Sequence, residues 1–207
     1  MSEKQLMKAA RWLSAVLSPF YTPVWILLAL FFYSYLKMFP LEYRMFILIT
    51  TFIFTVVIPR AGINLFRILM RWSHRELSHR ERRHVPYILT ICSYTACIVL
   101  MTRLNVVMFV RGVIMAAFVS QIICIFINAW WKVSTHMVGM GGLIGALVAF
   151  SNLFYFNPLW YSCALILLSG ALGTSRIVLR QHTLAQVLVG FFIGFACALT
   201  FILLAWM

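Results

Sequence analysis

The sequence predicts an all-α, polytopic membrane helix bundle with six or seven transmembrane helices. Hydrophobic residues make up 64% of the 207 residues and charged residues only 10%, and the mean hydropathy is +0.98. A chain with so few polar residues cannot cover the surface of a water-soluble protein of this size. Its apolar runs approach the roughly 20 residues that a helix needs to cross a bilayer. They show no two-residue alternation, so strands are not predicted.

Seven apolar runs define the candidate spans, and two short joins leave their number open. At 102–105 and at 157–158, one long buried hairpin and two short spans would give the same pattern. The chain opens with the polar stretch Met-Ser-Glu-Lys, and no small-residue cleavage site follows a short apolar core, so we expect no removable signal peptide. The runs cover approximately residues 12–36, 44–59, 86–102, 104–128, 137–155, 157–173 and 184–206.

The scarcity of carboxylates limits the chemistry that this chain can perform. There is no Asp, and the acidic residues are Glu3, Glu42, Glu76 and Glu81. Carboxylate-bound Mg²⁺ or Ca²⁺ sites and paired-carboxylate glycoside cleavage are therefore not expected. The cysteines lie in apolar runs without metal-type spacing, as small hydrophobic residues do: Cys92, Cys97, Cys124, Cys163 and Cys197. We expect no cofactor, and any chemistry must use histidine, arginine, lysine and hydroxyl groups.

The chain is predicted to form a single membrane domain, 1–207, with a basic interfacial segment at 60–85. The net charge of +13 is unevenly spread, and this segment concentrates seven arginines against two glutamates: Arg60, Arg67, Arg71, Arg75, Arg80, Arg82 and Arg83. Its first half, 60–72, alternates arginines with apolar residues at helical spacing, which predicts a helix in the headgroup plane that binds anionic lipid. Membrane lipids are the expected partners, and nucleic acid is not, because no soluble domain presents the basic residues.

A first polar cluster precedes the glycine-rich helix that begins near Met137. It reads Lys132-Val-Ser134-Thr135-His136. Ser134 or Thr135 can cap the helix, so that free N–H groups, the helix dipole and Lys132 would together form an anion pocket. The alternative is purely structural: a cap, an interfacial lysine and an amphipathic histidine at the membrane boundary.

A second polar cluster completes the motif region 132–190. Ser175 and Arg176 are followed after five residues by His182, and Gln186 lies four residues further on. On a helix, residues four apart share a face, so the Gln186 amide can orient the His182 imidazole. Thr183 and Gln186 also have capping-box spacing, so the amide can serve the backbone instead. The sequence leaves both roles open.

Topology allows these clusters to form one site. Two spans separate the basic segment from His136, and with seven spans two more separate His136 from His182, so all three lie on one membrane face. Two pairs of glycines spaced four apart would let the helices that carry the two histidines pack closely. These pairs are Gly141 with Gly145 and Gly190 with Gly194.

The ordered set resembles the type 2 phosphatidic acid phosphatase superfamily. That family has three motifs: Lys, six residues, then Arg-Pro; Pro-Ser-Gly-His; and Ser-Arg, five residues, His, three residues, Asp. The third motif matches at Ser175, Arg176 and His182, and Gln186 stands where the family has Asp.

The other two family motifs match less completely. The second matches at Ser134 and His136, with Val and Thr at the family's Pro and Gly positions. The first corresponds to Arg75 and Arg82, with Arg in place of Lys and the proline displaced, and Arg83 fits equally well. The resemblance covers roughly residues 75–190.

The resemblance implies a metal-independent phosphatase or phosphotransferase that acts on a lipid phosphate. His182 would attack phosphorus, His136 would protonate the leaving alkoxide, and Gln186 would orient His182. The phosphate-binding set would be Arg176, Lys132, Ser134, Ser175, Arg82, Arg83 and Arg75. A non-catalytic lipid-phosphate binder or transporter, and a structural membrane protein, remain the alternatives.

The expected location is a bacterial inner membrane. The positive-inside rule places the basic face in the cytoplasm, whereas bacterial relatives of this type often face the periplasm. The sequence leaves the membrane face of the site open.

Overall fold

The computed structural model describes residues 3–33, 35–71 and 84–206, and these ranges contain helices and turns but no strand. Seven helical stretches within them are long and apolar enough to cross a membrane, which confirms the predicted all-α bundle. The helices are α1 (Glu3–Val16), α2 (Thr22–Tyr33), α3 (Leu41–Phe52), α4 (Ile58–Leu69), α5 (His84–Arg103), α6 (Met108–Trp130), α7 (Thr135–Phe154), α8 (Leu159–Val178) and α9 (Leu184–Leu204).

Both joins that the sequence left open are turns between separate helices, so the count of candidate spans is seven. After α5, Asn105 adopts a left-handed conformation (φ 50°), and the Val106 N–H donates to the Met101 carbonyl oxygen (2.9 Å). After α7, Tyr155 is also left-handed (φ 51°). A left-handed residue just past the last turn is a common way to end a helix.

The first candidate span is not the continuous run predicted at 12–36. It consists of α1, a 3₁₀ turn at Pro19–Tyr21, and α2. Pro19 is the first residue of the 3₁₀ turn. An N–H at this position would have no partner within the turn, so proline loses no hydrogen bond there. Because of this turn, α1 packs on α8 rather than extending α2 into a longer helix.

The second candidate span, Leu41–Leu69, is helical throughout and contains a π-helical turn at Ile53–Val57. Within this turn the Ile58 N–H donates to the Ile53 carbonyl oxygen, five residues back. In that register Pro59, which has no N–H, would leave the Phe54 carbonyl oxygen without a donor. The Ser93 hydroxyl of α5 donates to that oxygen instead (2.5 Å), as a buried backbone acceptor in a membrane requires.

This continuity corrects the prediction of a separate in-plane helix at 60–72. Residues 60–69 form the end of the helical stretch that begins with α3, and no break separates residue 59 from residue 60. Within α4, Arg60 turns toward the protein: its Nη1 donates to the Tyr21 hydroxyl (2.7 Å), and its guanidinium lies over the Tyr21 ring (4.7 Å from the centroid). Arg60 therefore braces the 3₁₀ turn.

Helices α7 and α9 pack with their backbones almost in contact, as the paired glycines predicted. A Cβ atom added to Gly141 would overlap the Phe191 carbonyl oxygen, and one added to Gly194 would overlap that of Val138. A Cβ at Gly190 would lie 2.6 Å from the Ser134 carbonyl oxygen. No side chain larger than hydrogen fits at these positions unless the helices move apart, so the glycines fix the relative position of the two histidine-bearing segments.

Candidate functional site

Three helix ends meet where the sequence predicted a site: the start of α7, the end of α8 and the start of α9. The Ser134 N–H donates to the Gln186 carbonyl oxygen (3.3 Å), which ties the two motif segments together. Beneath them, α7, α8 and α9 share an apolar cluster formed by Met137, Met140, Leu172 and Val187.

The start of α5 reaches the same end of the bundle. Its Tyr87 packs in a buried cluster with Val133 and Val138, at the start of α7. The start of α5, which follows the basic segment, therefore lies beside the start of α7.

His182 lies in the turn between α8 and α9 and is only 6% exposed. Helix α8 ends because Arg180 takes a left-handed conformation (φ 52°), and the Gln181 N–H then donates to the Arg176 carbonyl oxygen (3.1 Å). Thr183 is the N-cap of α9. The turn is therefore held at both sides by helix-terminating hydrogen bonds, which fix the backbone on either side of the histidine.

Gln186 performs both of the roles that the sequence left open. Its Oε1 lies 3.2 Å from His182 Nδ1 and also accepts from the Thr183 N–H (3.2 Å). In return, the Gln186 N–H donates to the Thr183 hydroxyl oxygen (3.4 Å), which completes a capping box.

The capping box also determines the tautomer of His182. A backbone N–H can only donate, so the amide atom that faces both Thr183 and His182 must be oxygen. His182 Nδ1 must then carry a proton in order to donate to that oxygen. In the neutral imidazole, Nε2 is left with a lone pair that can accept a proton or act as a nucleophile.

His136 lies in the first turn of α7 and is half-buried. Its Nε2 lies 3.0 Å from the Ser14 carbonyl oxygen at the end of α1. Because a carbonyl only accepts, Nε2 is the protonated nitrogen in this contact. Sequence reasoning missed Ser14, although the buried positions Ala10 and Ser14, with Leu13 between them packed on the core, follow a helical period that could have indicated a face directed toward the bundle.

Ser134 is the N-cap residue of α7, but its hydroxyl makes no cap hydrogen bond, which corrects the expected capping role. The residue is 0% exposed, and its Oγ atom has no hydrogen-bond partner within the described part of the chain. A buried hydroxyl without a partner is energetically unfavourable by about 1–3 kcal/mol. This position at a helix N-terminus suits a ligand oxygen that accepts from the hydroxyl.

The predicted cationic and hydroxyl groups differ in burial and in the hydrogen bonds that they already make. Arg176 lies in the last turn of α8 and is only 7% exposed, whereas Lys132 is half-buried. The Ser175 hydroxyl donates to the Ala171 carbonyl oxygen of its own helix (2.8 Å), so its proton is already used. The remaining predicted residues, Arg75, Arg82 and Arg83, lie outside the described residues.

A cavity of about 220 Å³ adjoins His136 and has a partly polar lining. Tyr87, Thr90 and Tyr94 of α5 line one side, and Gln121 of α6 lines another. Phe20 of the 3₁₀ turn also lines it, with the Arg60 guanidinium 5.6 Å from its ring centroid. Sequence reasoning missed these polar groups, because only the folded bundle brings this part of α5 and α6 beside His136.

Within the described residues, no group of three or more His, Cys, Asp or Glu side chains is placed to hold a metal ion. Comparisons of the chain with protein-family models, with curated proteins and with solved structures give no match. The function must therefore be argued from the site itself.

Proposed function

We propose that this protein is a membrane phosphatase that removes phosphate from a lipid phosphate without a metal ion, through a phosphohistidine at His182. The observation that carries the proposal is the double hydrogen bond to Gln186 Oε1, from the Thr183 N–H and from His182 Nδ1. It assigns the proton of the neutral imidazole to Nδ1, so that Nε2 is the nitrogen whose lone pair would attack phosphorus. The resemblance of the ordered motifs to the type 2 phosphatidic acid phosphatases supports the same chemistry.

The reaction has two balanced steps. His182 Nε2 attacks phosphorus, the bond from phosphorus to the lipid oxygen breaks, and the departing alkoxide takes a proton from His136. Water then attacks the phosphohistidine and gives a proton to His136, the phosphorus–nitrogen bond breaks, and inorganic phosphate leaves with both histidines restored. Use of a lipid alcohol in place of water would make the enzyme a phosphotransferase.

Fixed positive charge near the two histidines would stabilise the equatorial phosphate oxygens. Arg176 and Lys132 supply this charge among the described residues, and the buried Ser134 hydroxyl supplies a donor. Because Nε2 of His136 contacts the Ser14 carbonyl oxygen, proton donation to the substrate requires either release of that contact or a second proton on Nδ1.

Gln186 makes the proposed enzyme slow but does not misorient its nucleophile. In a serine protease triad, an amide in place of the carboxylate costs about 10⁴ in kcat, largely because the histidine takes the wrong tautomer. Here the Thr183 N–H fixes the amide oxygen toward His182, so that tautomer penalty is avoided. The loss that remains is the missing negative charge, which would otherwise stabilise the imidazolium.

The decisive experiment measures phosphate release by the purified protein in detergent with EDTA, over a panel of lipid phosphates that includes phosphatidic acid, phosphatidylglycerophosphate, a polyprenyl phosphate and a lipid A precursor. We expect turnover that survives EDTA, is abolished in His182→Ala and rises in Gln186→Asp. Thr174→Ala is the matched control, because Thr174 is exposed on α8 and its hydroxyl donates to the Gly170 carbonyl oxygen of the same helix (2.8 Å).

The competing function is that of a lipid-phosphate binder or transporter without an attack step. The burial of His182 and the absence of a carboxylate at position 186 are the observations that favour it. Binding of lipid phosphate without release of phosphate, even by Gln186→Asp, would establish this function and refute the phosphatase.

We also propose that the site faces the cytoplasm of a bacterial inner membrane. The charge distribution supports this orientation: of the 13 lysines and arginines among the described residues, four belong to the opposite end of the bundle, namely Lys37, Arg44, Arg103 and Arg111. Labelling of Cys variants placed at 131 and at 157 with a membrane-impermeant thiol reagent tests it. Labelling of 131, rather than 157, in intact spheroplasts would contradict the cytoplasmic assignment.

A further inference from the structure

An apolar cavity of about 430 Å³ lies between α2, α7 and α8. Ile26 and Leu30 of α2, Ala146 and Phe150 of α7 and Ala164 of α8 form its walls. Trp25 and Tyr161 also line it and are 46% and 42% exposed, so the cavity reaches the surface of the bundle that faces lipid. Its volume is at the small end of the range of ligand pockets, about 300–1,000 Å³, which suits one hydrocarbon chain better than a whole lipid.

The cavity is continuous with the packing beneath the candidate site. Val16 and Leu17 line its upper end, and they follow Ser14, whose carbonyl oxygen contacts His136, by two and three residues. Leu17 also packs against the apolar cluster that contains Met137 and Leu172, directly below the histidine-bearing turns. If the polar end of a lipid lies at the site, its chain therefore enters this cavity as it follows α7 away from His136.

Distances along α7 set the length of the chain that would reach it. Leu143 and Phe150 lie seven and fourteen residues after His136, which corresponds to about 10 and 21 Å at 1.5 Å per residue. A six-carbon chain, with bonds of about 1.5 Å, spans less than about 9 Å and ends before Leu143. Only a long chain can occupy the cavity while its phosphate lies at the site.

We infer that this cavity holds one long hydrocarbon chain of the lipid phosphate whose headgroup lies at the His136–His182 site. The inference rests on the proposed function for the position of the headgroup. A chain that leaves the bilayer for this cavity gains little from the hydrophobic effect, because lipid tails are as apolar as the cavity walls. The cavity therefore selects by the length and shape of the chain, and it positions the phosphate rather than adding affinity.

The test uses photo-crosslinking, which does not depend on catalysis. The probe is phosphatidic acid with a diazirine midway along one acyl chain, added to the full-length protein in nanodiscs. We expect labelled peptides from the cavity-lining parts of α2, α7 and α8, and competition by unlabelled phosphatidic acid but not by diacylglycerol. Labels spread over the lipid-facing surface, or equal competition by diacylglycerol, would show that the cavity only holds bilayer lipid and would overturn the inference.

Two substitutions fill the cavity, one from α8 and one from α2, and a third substitution serves as the control. Ala164→Phe on α8 and Ala29→Phe on α2 should each reduce labelling at least fivefold. Cys163→Phe adds the same ring one residue away, at an exposed position that does not line the cavity, and should leave labelling unchanged. Unchanged labelling in both filled variants, with normal gel filtration and helical content, would also refute the inference.

Activity measurements separate this inference from the proposed function. In the filled variants, turnover of a long-chain lipid phosphate should fall about tenfold, mainly through kcat because its phosphate is no longer positioned, while turnover of a six-carbon phosphate ester should not change. Equal loss with both substrates would contradict chain binding in the cavity. If wild-type protein releases phosphate from neither substrate, the phosphatase proposal fails, and the crosslinking and competition results alone decide whether the cavity binds the chain of a lipid phosphate.

Discussion

Replacement of Gly194 by alanine tests whether the α7–α9 contact determines the geometry of the site. A Cβ at this position would overlap the Val138 carbonyl oxygen and would lie 2.9 Å from the Gly142 backbone nitrogen. Both neighbours are backbone atoms, so no side-chain rotation can relieve the overlap. The helices would have to separate by more than about 1 Å to restore ordinary contact distances near 3.5 Å.

The expected effect is large for a single methyl group. Overpacking typically destabilises by about 1–3 kcal/mol, and we expect about 3 kcal/mol here because the backbones of two helices must move. The higher helix propensity of alanine offsets no more than about 1 kcal/mol of this loss. Separation of the helices should also weaken the contact from the Ser134 N–H to the Gln186 carbonyl oxygen, so phosphate release should fall together with stability.

Gly170→Ala provides the matched control, because no atom lies within 4 Å of a Cβ built there. We expect this variant to be neutral or more stable by up to about 1 kcal/mol. Thermal unfolding in detergent, followed by circular dichroism, compares the two variants with the wild type. If Gly194→Ala unfolds within a degree of Gly170→Ala, the close packing of α7 and α9 is not what fixes these helices, and the reasoning is wrong.

Three other substitutions test separate parts of the structure. Ser93→Ala removes the hydroxyl that donates to the Phe54 carbonyl oxygen and should destabilise by about 1 kcal/mol. Thr95→Ala, whose hydroxyl bonds within its own helix, should not destabilise, and equal melting temperatures for the two variants would contradict this account of the π-helical turn. Tyr155→Gly places glycine at an exposed left-handed residue and should stabilise by up to about 1 kcal/mol, as measured by chemical denaturation. Gln186→Leu removes both acceptor contacts of Oε1, so we expect lower stability by about 1 kcal/mol and loss of phosphate release; an active Gln186→Leu protein would show that the amide does not orient His182.

The parts of this structure that could be predicted from the sequence are governed by local interactions. Seven apolar runs gave the spans, and the spacing of glycines gave the α7–α9 contact, because hydropathy and helix periodicity are properties of neighbouring residues. The two roles of Gln186 were also visible, since its partners Thr183 and His182 lie within four residues. What the local pattern could not supply was that both roles are performed by one oxygen atom.

The features that were missed depend on contacts between distant parts of the chain. The partner of His136 is a backbone carbonyl 122 residues away, and backbone groups leave no signature in composition. The contact of the Arg60 guanidinium with Tyr21, 39 residues away, is likewise not visible in the local sequence. The in-plane helix predicted at 60–72 was wrong for a related reason: the π-helical turn lets Pro59 stay within a continuous helical stretch, because Ser93 supplies the missing donor from another helix.

Gln186 both stabilises the start of α9 and orients His182, and the Asp of the family motif at this position would not do both. A capping box needs a side chain that reaches back from the third helical position to the N-cap N–H. The side chains of Gln and Glu are long enough to do so, whereas that of Asp is one methylene too short. Gln186→Asp should therefore lose the contact to the Thr183 N–H, with a loss of about 1 kcal/mol in stability, while it gains a charge beside the His182 imidazole. A faster but less stable Gln186→Asp protein would show that this chain has exchanged catalytic rate for a rigid helix start. A variant that is faster and equally stable would show that the capping contact contributes nothing, and that the glutamine needs another explanation.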